Sequence, residues 1–316
     1  MDIKSILTKA LHKRVALKPS TNALRLVNGV GDGLKGLSLD QYNQHFVIQV
    51  FDSKAFAYVP AVTQYISENL NPAFLVVKDR TSSDGRSLDK PKIEVLVNRG
   101  ESKTVVTENS LKFGIDVIDT INAGLFLDMR HNRKQIGELA NNKRVLNCFA
   151  YTCSFGVYAK MGGAKEVINV DISKKGLDKG RENYRVNALV FTDKEFIRTN
   201  CYHYLLHAAE KDNQFDIIIL DPPSFARYDH KVFHVVKELP KLIMTALKIL
   251  NNKGFMHITT NYAQYSTVQL MNDIRTYLRA SGRSSRALIP LTQDRDFPGE
   301  GLMKESHLAG VLLQLN

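Results

Sequence analysis

The sequence predicts an α/β protein, a doubly wound, mostly parallel sheet preceded by a small α+β domain. From residue 144 onward, the short apolar, partly β-branched runs RVLNCF, EVINVD, EFIRTN, FDIIILD and GFMHIT alternate with helical stretches, as buried parallel strands joined by crossover helices require. Before them lie LRLVN, the glycine-broken GVGDGLKGLSLDQY and HFVIQVF, whose alternation is that of half-buried strands. A chain of 316 residues has room for both parts.

The elements follow in order. Residues 1–22 read as a basic leading segment, with Lys4, Lys9, Lys13, Arg14 and Lys18 against Asp2 alone. Residues 23–105 read as the small domain. Its strands are followed by the helical YVPAVTQYISENL, which stops at Asn71-Pro72, and by the strand AFLVVKDR; the polar TSSDGRSLDKPK reads as a loop. The hairpin KTVVTENSLKFGIDVID carries the chain into the second domain, 106–316. There FGVYAKMGG, SKKGLDKGRENYRVN, HYLLHAAEKD, VFHVVKELPKLIMTALKILNNKG and TVQLMNDIRTYLRASG are the helices between strands, and RALIPL with HLAGVLLQLN makes an antiparallel edge pair.

A net charge of +11 favours a polyanionic partner. The leading segment and the acid-free RTYLRASGRSSRA, with Arg275, Arg279, Arg283 and Arg286, point to nucleic acid, and the small domain is the expected place for it to bind. Three cysteines without a CxxC pair imply a reducing cytosol. The N-terminus lacks the apolar core of a secretory signal, and no apolar run nears the ~20 residues of a membrane span, so a soluble cytoplasmic protein is expected. The edge of the small sheet could pair two copies of the chain.

In an open α/β sheet, ligands sit at the carboxyl ends of the strands where strand order reverses. The loop NCFAYTCSFG, residues 147–156, is the first such end in the second domain, yet Phe149 and Tyr151, followed by Cys153, stand where a dinucleotide loop carries its first glycines. That argues against NAD, and the absence of GxxxxGK[ST] argues against a nucleoside triphosphate. One strand later Asp171 stands where a carboxylate can accept both hydroxyls of a ribose, with Ser173 as the next helix cap. The fourth strand ends in Asp221-Pro222-Pro223-Ser224-Phe225, whose paired prolines fix the backbone beside an aromatic ring. Such an edge suits a flat base that is stacked and hydrogen-bonded while a methyl group is delivered.

With these stretches, GLFLDMRHNR, RVLNCFAYTCSFGVYAKMGGAKEVINVDIS and FDIIILDPPSF, the sequence resembles the class I S-adenosylmethionine-dependent methyltransferases, and more closely the bacterial large-subunit rRNA methyltransferases that modify guanine N7 or cytosine C5. The likeness runs from about Leu24 to the C-terminus. It implies a Rossmann-like domain with a mostly parallel seven-stranded sheet, S-adenosyl-L-methionine as cofactor, and rRNA or a ribosomal precursor as partner. Asn147, Phe149, Ala150, Tyr151, Thr152 and Ser154 would hold the methionine part of the cofactor. Asp171 would hold its ribose, Asn200 would face the adenine, and Ile172, Ser173 and Cys201 would bind the cofactor beside them. Phe126, Asp128 and Arg130 would line the same pocket. Asp221, Pro222, Pro223, Phe225 and Asn261 would form the catalytic edge, with Asp221 also near the methyl group. Many relatives have glycine at position 153, so the left-handed backbone there would cost this loop roughly 1 kcal/mol.

Carbon-5 methylation of cytosine needs a cysteine that adds to the ring. Relatives with that activity carry it after the fourth or fifth strand, where this sequence has Pro223-Ser224 and His257-Ile258-Thr259-Thr260-Asn261. Cys153 lies on the wrong loop for attack. Guanine N7 has a lone pair and no proton to remove, so alignment is most of the work. The expected reaction is therefore at a guanine nitrogen, N7 first, with cytosine C5 or a silent RNA-binding assembly factor as alternatives. Cys201, His203 and His207 fall within one span, but three ligands on a helix that needs an apolar face assign no metal.

Overall fold

The computed structural model describes residues 2–81, 90–120, 122–228, 231–262, 264–299 and 308–316. The loop expected at 81–92 falls mostly outside them. The chain divides into two units, Met1–Arg130 with Gln293–Ser306, and His131–Thr292 with His307–Asn316. This moves the boundary expected at 105/106 to 130/131, because the hairpin expected to open the second domain groups with the first.

The first unit is built on helix α1 (Ile3–Arg14), strands β1 (Ala23–Asn28), β2 (Leu37–Tyr42) and β3 (His45–Val50), helix α2 (Val59–Asn69), and strands β4 (Phe74–Asp79), β5 (Lys92–Asn98), β6 (Lys103–Glu108) and β7 (Leu111–Asp116). β1 to β5 form one sheet in chain order, antiparallel except for the β3–β4 pair that α2 bridges. The β6–β7 hairpin turns at Asn109 and Ser110, both at positive φ (49° and 69°), which the twist of a two-residue hairpin favours. The leading basic segment is not an appendage, for α1 buries Leu7 and Ala10 in one core with Leu24, Phe46 and Ile66. β5 carries an alternation, Ile93, Val95, Val97, that the sequence reading passed over.

Ionic groups lie inside this unit. Arg14, fully buried, donates to both carboxylate oxygens of Asp32 at 2.7 and 2.5 Å and to the Asp296 carbonyl at 2.9 Å. Arg130 donates to both oxygens of Asp296 at 3.0 Å, to Asp294 at 3.1 Å and to the Ala23 carbonyl at 2.7 Å, with Glu108 at 3.5 Å. Burial by itself would lower the Arg130 pKa, but the hydrogen-bonded Asp296 carboxylate, then Glu108 and Asp294, raise it above its ordinary value.

The second unit contains α3 from His131 on (helix Arg130–Leu139), β8 (Arg144–Cys148), α4 (Ser154–Met161), β9 (Glu166–Asp171), α5 (Lys174–Val186), β10 (Phe196–Arg198), α6 (Cys201–Glu210), β11 (Phe215–Leu220), β12 (Phe225–Tyr228), β13 (Lys231–His234), α7 (Val235–Ile249), β14 (Leu250–Thr260), α8 (Thr267–Ala280), β15 (Ser285–Pro290) and β16 (Ala309–Leu315). The sheet order is β10-β9-β8-β11-β14-β16-β15, with the first five strands parallel and the last two antiparallel. Strand order reverses between β8 and β11. Both ends of one expected helix change type: Val232-Phe233-His234 is not its start but strand β13, paired with β12 in the register Phe225↔His234, and residues 250–254, expected as its end, open strand β14.

One sheet face packs on α6, α7 and α8 through Leu146, Ile218, Ile258, Leu205, Leu242 and Ile274. The other face carries a buried polar row. Asn147 donates to Asn169 Oδ1 at 2.9 Å, and Asn169 contacts the Tyr184 hydroxyl at 3.0 Å. Gly156 of α4 sits directly on this pair, since a Cβ there would lie 2.3 Å from Asn169 Oδ1 and 2.6 Å from the Tyr184 hydroxyl. Its glycine is a close-approach requirement between helix and sheet.

Candidate functional site

The strand ends at the reversal gather the loops 149–153, 171–173, 199–200, 221–224 and 261–262 along one edge of the second unit. The first has the backbone of a glycine loop built without glycine. Phe149, Tyr151 and Cys153 have φ of 57°, 47° and 57°. Each costs roughly 1 kcal/mol in the left-handed region, and hydrogen bonds from neighbouring elements offset it. The Phe149 N–H donates to the Cys201 sulfur at 3.1 Å, Tyr151 N–H to Asp171 Oδ2 at 2.8 Å, and Asn183 Nδ2 to the Thr152 carbonyl at 2.9 Å. Gly176 and Gly180 of α5 let the loop approach, for a Cβ at either would crowd the Tyr151 carbonyl or the Cys153 sulfur. Ala150 and Thr152 are buried, so they offer the edge backbone rather than side chains.

Helix α4 starts from this loop without a side-chain cap, whereas Ser173 caps α5 and Asn200 caps α6 by accepting from Tyr202 and His203. The first amides of α4 are thus left for an anion, at the positive end of the helix dipole. Asp171 accepts from Tyr151 N–H and, at 2.7 Å on its other oxygen, from Ser173 N–H, so both oxygens are oriented and each retains a lone pair. Burial raises its pKa, and the amides of Ser173, Tyr151 and Ile172 pull it only partly back. Ile172 beside it is exposed and apolar. An uncapped helix end, an oriented carboxylate and an apolar neighbour fit the amino-acid carboxylate, the ribose diol and the purine of S-adenosylmethionine.

At the other side of the reversal the Thr259 hydroxyl donates to Asp221 Oδ1 at 2.6 Å, and the Ser224 hydroxyl donates to Asn261 Oδ1 at 2.5 Å. Asn261 is exposed, and with its oxygen engaged by Ser224 its amide N–H groups remain as donors. Pro222 is buried and Pro223 exposed, and Phe225 opens the β12–β13 hairpin. That hairpin brings the Phe233 ring 5.9 Å from Phe149, and His234 packs edge-on to Tyr262 at 5.4 Å. Thr259, Ser224, Phe233, His234 and Tyr262 were not foreseen. Phe233 and His234 were hidden by the misread helix, while Asn183 and Thr259 carry no local sequence signal.

Several expected site residues have structural partners of their own. Arg130 lies in the first unit, committed to Asp296, Asp294 and Ala23, because a buried guanidinium must be paired. Phe126 and Asp128 also belong to the first unit, where Asp128 adds to the carboxylate field around Arg25. The Asn147 side chain is held in the polar row beneath the loop. Cys201 is a core residue whose sulfur braces Phe149, while His203 and His207 face outward on the same helix. Arg14 and Arg283 leave the basic clusters, since Arg283 donates to the Leu247 and Leu250 carbonyls.

His257 lies in the same sheet row as Ile219 and Asn147, fully buried, its ring 5.1 Å from Phe155, and neither nitrogen has a hydrogen-bond partner among the described residues. Burial depresses its pKa to about 3. A base whose folded pKa lies below its unfolded value of ~6.5 gives stability that is complete above that value and lost as pH falls through the interval. At pH 5 the expected loss is about 2 kcal/mol, and His257→Phe removes that part of the acid sensitivity. Urea denaturation of both proteins at pH 7 and pH 5 measures it; equal losses would exclude His257 as the cause.

A reversing parallel sheet, an open helix end and a ribose-type aspartate one strand later define a methyltransferase of the class that uses S-adenosylmethionine. The match to the S-adenosylmethionine-dependent methyltransferase family extends over residues 73–267, and the chain belongs to that family. It is 31% identical over 315 residues to YwbD of Bacillus subtilis, provisionally named a ribosomal RNA large subunit methyltransferase, covering 98% of this chain and 79% of that protein. It is 32% identical over 296 residues to ribosomal RNA large subunit methyltransferase I of Aeromonas salmonicida, covering 92% of this chain and 74% of the relative. Among solved structures, SMU.776, provisionally named a methyltransferase and crystallised with SAH, superposes with a TM-score of 0.86 at 25% identity, over 99% of this chain and 80% of that one. The protein is an enzyme with S-adenosylmethionine as its cofactor. Among the described residues, no helix is long and apolar enough to cross a membrane.

Proposed function

We propose that this enzyme methylates a base of large-subunit rRNA, at a guanine nitrogen and most directly at N7. The rRNA substrate is taken from the names of the two relatives. The choice of atom rests on one observation: Cys148, Cys153 and Cys201, the chain's three cysteines, are all buried, while the catalytic edge carries Asp221, Thr259, Ser224 and Asn261 and no thiol.

Bound S-adenosylmethionine supplies an electrophilic methyl group. The loop 149–154 and the open end of α4 hold its amino-acid part, Asp171 its ribose hydroxyls, and Ile172 with the Asn200 amide the purine. The amide N–H groups of exposed Asn261 suit O6 beside guanine N7, so Asn261 would read the base edge without blocking the attacking lone pair. N7 carries no proton, which agrees with an edge lacking an acid/base pair. Asp221, fixed by Thr259, is placed to stabilise the positive charge that N7 methylation leaves on the ring. Phe225 and Pro223 offer flat surfaces for it.

Large-subunit rRNA incubated with the enzyme and S-adenosylmethionine, then digested to nucleosides, is expected to yield 7-methylguanosine by mass spectrometry. 5-Methylcytidine, or a covalent adduct with 5-fluorocytosine RNA, would refute this assignment.

A further inference from the structure

We propose that one surface of the first unit, formed by α1 and the loops 29–36 and 51–57, binds unpaired RNA through stacked phenylalanines and free lysines. This rests on rRNA being the substrate. Phe51 and Phe56 are 51% and 38% exposed, on a loop where the small side chain Ala55 fills the core instead. The surface is continuous. Ile6 of α1 lies against Gly33, the Phe51 N–H donates to the Gly36 carbonyl at 2.8 Å, and Gly36, at φ 78°, packs on Asp52 and Ala55.

Lys35 and Lys54 are exposed on the two loops, and Lys4, Lys9 and Lys18 on or just after α1. The carboxylates on these loops are turned to other uses, since Asp32 is buried against Arg14 and Asp52 accepts from the Lys54 amide. The five outward lysines outnumber the outward carboxylates Asp2 and Asp52, and with the two rings they make the pairing that holds a single strand, lysines on phosphates and rings on base faces. A lipid surface fits less well, because the apolar face of α1 is spent on the core through Leu7 and Ala10.

The test uses the full chain, a short fluorescein-labelled unpaired RNA read by anisotropy across a salt series, and methyl transfer to large-subunit rRNA. Phe51→Ala with Phe56→Ala is expected to weaken RNA binding by about 30-fold or more with little change in salt slope. Lys35→Ala with Lys54→Ala is expected to lower the slope of log K against log salt by about 1.4. In both, KM for rRNA rises while kcat and SAH affinity stay as in the wild type, and Phe51→Trp with Phe56→Trp retains binding. Wild-type affinity and KM in both double variants would overturn the surface and leave the rRNA reading standing. A wild type that neither binds nor methylates rRNA would overturn both. Binding to phosphatidylglycerol vesicles that the phenylalanine variants abolish, with RNA binding intact, would reassign the face to a membrane.

Discussion

Arg130→Ala is expected to destabilise the first unit by about 3 to 5 kcal/mol, the cost of leaving buried carboxylates without their cation. Arg130 is 2% exposed, Asp296 and Glu108 are fully buried, and Arg130 donates to both Asp296 oxygens. Removing it takes the neighbouring cation from two carboxylates that have no solvent. Arg130→Met is expected to recover little, because the loss lies in the carboxylates and not in the volume. Thermal unfolding measures the effect, and SAH calorimetry well below the transition separates it from cofactor binding. A normal melting temperature with SAH affinity lost would return Arg130 to the cofactor role that the sequence alone suggested.

Asp171→Ala is expected to weaken SAH binding by roughly 100-fold, two charge-assisted hydrogen bonds at about 1.5 kcal/mol each. The substitution also frees the Tyr151 amide, one brace of the left-handed loop. Asp171→Asn keeps an oxygen for that amide and is expected to lose less. Because burial raises the carboxyl's pKa, the charged acceptor disappears on acidification at a higher pH than an exposed aspartate would. SAH affinity should therefore fall as pH drops toward that value in the wild type and stay flat in Asp171→Asn. Isothermal titration over a pH series reads this; equal pH dependence in the two proteins would remove Asp171 from the ribose.

The β-branched runs of the second unit were legible because a parallel strand covered on both faces is apolar throughout, and helices between such runs leave few topologies. Asp171 and Asp221 were legible for the same reason: each is the first charge after an apolar strand, and a strand end is where a ligand can be reached. The β12–β13 hairpin was not, since its pattern Val232-Phe233-His234 runs straight into a long helix and only pairing with Phe225–Tyr228 separates them. Pairing is a non-local property.

Local pattern thus determined the fold class and marked the acids at the strand ends, and the resemblance carried by those stretches implied the cofactor. Tertiary structure decided what neighbouring elements do to a residue's chemistry. Arg130 and Arg14, read as a site residue and as part of a basic leading segment, became buried ion partners because the oxygens that meet them come from segments up to 282 residues away. The glycine-free loop could adopt its left-handed backbone only because Asp171, Asn183 and Cys201 reach it from three other elements. Burial, pairing and bracing depend on contacts between distant parts of the chain, and no local stretch of sequence encodes them.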